Sequence, residues 1–136
     1  MGFDVIGPTR RGKASNVDDG SPPFYDVFYL AKQLNVSGPL LRRLNERLYA
    51  STTVSYADGS VSALRDELAA LRAAYRLRRE PELARERGVR ACNPAVRRSI
   101  LETVFQTDVV DRVLSELLLL CDEALALRQD VQCEGD

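Results

Sequence analysis

Val61, Leu64, Leu68, Leu71 and Tyr75 recur at alternating intervals of three and four residues. That is the spacing of a helix that lays one apolar seam against another helix. A second segment constrains the fold from the other side. Leu117-Leu118-Leu119-Leu120-Cys121 is apolar all round, so the helix through it is either the central member of a bundle or an oligomer contact. Between the two, Asn93-Pro94 opens a further helix, with Asn93 as N-cap and Pro94 in first position. Thr107 or Asp108 restarts or kinks that helix, and the last one runs to about Gln129. Pro81 is expected to interrupt the seam helix, leaving a short helical piece as far as Gly88.

The N-terminal half is less regular. Phe3 to Ile6 reads as an edge strand closed by Gly7-Pro8, and residues 9–23 as a polar loop ending at Pro22-Pro23. A first helix fits Phe24 to Asn35, with Val27, Leu30, Ala31 and Leu34 on one face. Ser37 caps a second helix to about Ala50, striped by Leu40, Leu41, Leu44 and Leu48. Thr52 to Tyr56 is β-branched and aromatic, a candidate second strand before the turn at Asp58-Gly59. The expected fold is therefore mainly α: a compact bundle of four to five helices with a short N-terminal strand and a second short strand near 52–56. At 136 residues it forms a single domain, with 1–23 as strand plus polar loop and 24–130 as helical body.

Composition removes many chemistries. The chain has no His, and Cys92, Cys121 and Cys133 are far apart. Zinc fingers, His-based triads and Cys–His dyads are excluded together, and neither a metal nor a cofactor is expected. Cys121 reads as a small core hydrophobe. There is no glycine-rich phosphate loop and no nucleophile elbow, so no enzyme is expected. No apolar segment approaches the roughly 18 to 20 residues of a membrane span, and neither a signal peptide nor a lipidation signal is readable. A reduced, cytoplasmic setting is the expectation.

Charge is unevenly spread. The cations are 17 Arg against Lys13 and Lys32. From Arg72 to Arg98, nine Arg face three Glu, a net +6; from Ser99 to Asp136, two Arg face nine acids, a net -7. Arg65, Arg72, Arg76 and Arg79 share one face of the seam helix, on the side opposite its leucines by sequence reading. Such a face either tracks phosphates or pairs with carboxylates such as Asp66, Glu80 or those of the last helix. Asp108 and Asp111 stand one turn apart, as a crude metal or acid–base pair or as partners of a helix N-terminus. Phe24, Tyr25, Phe28 and Tyr29 crowd the first helix and are candidate contact aromatics.

Leu30 to Leu44 resembles a helix-turn-helix element of transcription regulators. Ala31 stands where that family needs a small residue, Asn35 where it needs positive φ, and Val36, Leu41 and Leu44 where it places locking apolar residues. The resemblance implies outward-facing Ser37, Gly38, Pro39, Arg42, Arg43 and Glu46, with Ser37, Arg42, Arg43 and Arg47 as candidate DNA contacts. Met1 to Gly7 resembles the opening of small uncharacterised phage and bacterial proteins; members often carry Trp-rich segments after it, and this chain has no Trp. The functional expectation is a small, non-catalytic regulatory protein that binds another protein or itself, as an adaptor, inhibitor or immunity-type module. The alternative is a helix-turn-helix DNA-binding regulator.

Overall fold

The computed structural model describes residues 3–13, 27–36, 38, 53–56, 58–86, 88 and 93–135. Among them the chain runs through β1 (Phe3–Ile6), β2 (Arg11–Lys13), α1 (Val27–Gln33), β3 (Thr53–Tyr56), α2 (Asp58–Glu86), α3 (Pro94–Phe105), α4 (Val109–Leu127) and β4 (Val131–Gly135). The protein is mainly α, and both expected strands are present. Two further strands are not legible in the sequence. β2 lies inside the expected polar loop, and its three residues are too few to show a pattern. β4 alternates Val-Gln-Cys-Glu too briefly to stand out after a long helix.

The strands form one antiparallel sheet in the order β2-β1-β4-β3. Val5, Gly12, Tyr56, Val131 and Cys133 are buried on one face. Gln132 on the other is exposed, and Asp4 there pairs with Arg11 at 3.2 Å. The helices cover the buried face. Val61, Leu64, Leu68 and Leu71 of α2 share a core with Leu114, Leu117, Leu120 and Cys121 of α4 and with the inner sheet residues. In the apolar run of α4 only Leu119 is exposed, at 43%, which makes α4 the central member of the helical layer. Leu120 also bears on a glycine: a Cβ on Gly12 would lie 2.9 Å from its Cδ1, so a side chain there would force the buried Leu120 to shift.

Helix ends follow local chemistry. Asn93 caps α3 by accepting from Ala95 N at 2.9 Å, and Asp108 caps α4 by accepting from Asp111 N at 2.9 Å. α1 closes in a Schellman turn: Asn35 has φ 54, and Val36 N donates to Ala31 O at 2.9 Å. α4 ends two residues before the expected Gln129, in the same turn. Arg128 sits at φ 52, and Gln129 N donates to Ala124 O.

Pro81 corrects a second expectation, because it lies inside α2 without interrupting it. Its ring deprives the Leu77 carbonyl of an intrahelical donor. Leu77 and Pro81 are both exposed, so the missing bond falls on the side of the helix open to solvent.

Candidate functional site

α2 has 29 residues and α4 has 19, or about 43 Å against 28 Å at 1.5 Å per residue. Past Tyr75, α2 is packed by α3, through a small second core of Leu83, Leu101 and Phe105 joined by Tyr75 and Val104.

An ion-pair cluster holds this junction. Asp111, 3% exposed, accepts two forks at once. Arg72 donates from Nε at 3.1 Å and from Nη2 at 3.2 Å, and Arg76 from the same atoms at 2.8 and 2.9 Å. Four donors match the acceptor capacity of one carboxylate. Burial alone would raise the Asp111 carboxyl, but the bonds from Arg76 and Arg72 prevail and hold it below the ordinary carboxylate value. Arg76 also donates to Glu102 at 2.8 Å and lies over the Phe105 ring, 4.8 Å from its centroid. The Tyr75 hydroxyl donates to Asp108 at 2.8 Å, and burial, with that bond, pushes its pKa up.

The arginine face is therefore a flank. At about 100° per residue it stands roughly a quarter-turn from the leucine seam, which corrects the opposite placement expected from the sequence. All four guanidiniums meet carboxylates: Arg65 pairs with Asp122 at 2.7 Å, Arg72 and Arg76 with Asp111, and Arg79 with Glu82 and Glu86. Glu80 is not among their partners. Asp108 and Asp111 serve as helix cap and ion-pair acceptor. No group of three His, Cys, Asp or Glu among the described residues is placed to hold a metal, and no described helix is long and apolar enough to cross a membrane.

Two adjoining cavities lie between α2 and α3 and share Glu80 and Arg97 in their walls. One, of about 190 Å³, has Pro94, Leu101 and Phe105 as its apolar lining and Arg76, Arg97 and Arg98 as its cations. The other, of about 340 Å³, is walled by Leu77, Pro81 and Ala84. Arg97, Arg98, Leu77 and Pro81 were not singled out as site residues in the sequence. The available signal was Leu77, an apolar residue two positions off the seam. Ser37, Arg42, Arg43, Arg47, Phe24 and Tyr25 lie outside the described residues; of Phe28 and Tyr29 only the helical backbone is described. Gly38, which the helix-turn-helix resemblance turns outward, is half-buried, and a Cβ there would collide with the Glu67 carboxylate. The chain matches no protein-family profile, no curated protein and no solved structure.

Proposed function

We propose that this is a small, non-catalytic interaction protein that binds another protein, as an adaptor, inhibitor or immunity-type module, and that the partner docks in the α2–α3 groove. The supporting observation is Leu77, 76% exposed in the wall of a cavity. Single exposed leucines are ordinary. One that lines a cavity with Pro81, beside a cavity bearing several arginines, has the mixed apolar and Arg character of interface centres.

The test is site-specific photo-crosslinking in a lysate of the source organism, with benzoylphenylalanine at position 77 and, as control, at exposed position 116. A discrete adduct from 77 alone supports the reading, and an adduct between two copies names the partner as self. Equal adducts from both positions, or none, would remove it.

The second reading, a helix-turn-helix DNA-binding regulator, is favoured by one observation: Asn35 has the positive φ that the motif needs, behind a fully buried Ala31. Against it, Gly38, which the motif turns outward, is half-buried with the Glu67 side chain against it. This reading requires salt-sensitive affinity for duplex DNA that falls when Arg42 and Arg43 become Ala. Absence of binding at low salt, measured by fluorescence anisotropy, would end it.

A further inference from the structure

We infer that the α2–α3 groove is shaped for an acidic protein segment that presents a carboxylate beside an apolar side chain. This rests on the docking reading and deepens it by naming the chemistry of the occupant. The groove has two unlike ends. Leu77, Pro81 and Ala84 wall one end beside Glu80 and Arg97, and its volume of about 340 Å³ falls at the lower edge of ordinary ligand pockets. The other end brings Arg97 and Arg98 over Pro94, Leu101 and Phe105.

The arginines around the groove differ in their partners. Arg72 and Arg76 are neutralised by Asp111, Arg76 by Glu102 as well, and Arg79 by Glu82 and Glu86. Arg97 and Arg98 have no carboxylate partner among the described residues, although Glu80 lines both cavities with Arg97. The guanidiniums of Arg76, Arg97 and Arg98 against the carboxylates of Glu80 and Glu102 leave one surplus positive charge at the polar end. Guanidinium forks suit a carboxylate, which can take two parallel hydrogen bonds from one of them.

The same residues disfavour a nucleic acid. A polyanion needs a continuous cationic track, whereas the row along α2 is already paired and Glu80 and Glu102 stand at the groove. A single carboxylate needs only the surplus positive charge at the Arg97–Arg98 end, not a track. The occupant is thus an acidic peptide segment with a large apolar residue near its acid.

The experiment is selection of a random dodecapeptide display library on the full chain, followed by titration of the enriched peptides. Enrichment of Asp or Glu within four residues of Leu, Ile, Met or Phe is expected. Affinity should fall about tenfold or more in the Arg97→Ala/Arg98→Ala variant, as loss of a charge-assisted pair implies, and in Leu77→Asp. It should rise several-fold in Glu80→Gln, a gain that general damage to the fold would not produce. Circular dichroism confirms that each variant is folded. The inference is overturned if no acidic pattern emerges, if affinity ignores Arg97 and Arg98, or if a 20-base-pair duplex competes as well as the peptide. Crosslinking from position 77 without acidic enrichment sinks this inference and leaves the docking reading standing. Absence of any adduct overturns the docking reading and this inference with it.

Discussion

At Asp111, burial and charge pull in opposite directions, and the geometry decides the winner. Isolated, a carboxylate at 3% exposure would be neutral at modest acidity; with two guanidinium forks on it, the charged form prevails. Its folded pKa lies below the unfolded value near 4. The group therefore contributes stability that is fully present above about pH 4 and lost as pH falls through the lower folded value. Thermal melts between pH 6 and 2.5 should show this acid limb, and Asp111→Asn should flatten it. Asp111→Ala should cost about 2–3 kcal/mol by urea unfolding. That is less than the ~3–5 kcal/mol of a wholly buried pair, because Arg72 and Arg76 retain 30% and 26% exposure and can be hydrated. The buried thiols follow the same logic without a rescuing partner. Burial pushes Cys121 and Cys133 up to about 12. Both should resist thiol reagents at pH 8 until denaturant is added, as read by mass spectrometry.

Among the elements, α4 is the most determined by its own sequence and the most dependent on its ends. Asp108 caps it and also receives the Tyr75 hydroxyl, so Asp108→Ala should cost about 2 kcal/mol, at the upper end for a cap. Its other end holds Arg128 at φ 52, a conformation in which glycine has no steric cost. Arg128→Gly should therefore raise stability by about 0.5–1 kcal/mol in chemical unfolding. A loss would mean that the Arg side chain contributes more than its backbone strain costs. α2 carries the contrary case. Its seam was legible because Val61, Leu64, Leu68 and Leu71 all lie in the core. The passage of the helix through Pro81 was not legible, since it depends on which side of the helix is open to solvent. β2 was equally hidden: nothing in Arg11-Gly12-Lys13 says strand until β1 lies beside it and Leu120 lies over Gly12.

On the scale of the whole molecule, the last strand in sequence is an inner strand of the sheet. β4 pairs β1 on one side and β3 on the other, which joins the C-terminal segment to residues more than 70 positions earlier. Removing residues 131–136 should therefore abolish cooperative thermal melting by circular dichroism, rather than merely fray an edge, because β3 loses its only sheet neighbour among the described residues. The excess length of α2 over α4 is the other molecular-scale feature: beyond α4, α2 packs on α3, and the groove lies between those two helices.

The sequence alone determined the helical character of this protein, because apolar periodicity, caps and prolines act within one or two turns. It also determined the absence of His-based chemistry and the pairing of the arginine flank with acidic partners as one of two outcomes. Tertiary structure decided which outcome held: Arg72 and Asp111 are 39 residues apart, and no local spacing reports that meeting. It likewise set the sheet order and left Arg97 and Arg98 without carboxylate partners among the described residues. Local propensities are short-ranged, whereas burial and ion pairing belong to whichever elements the folded chain brings together.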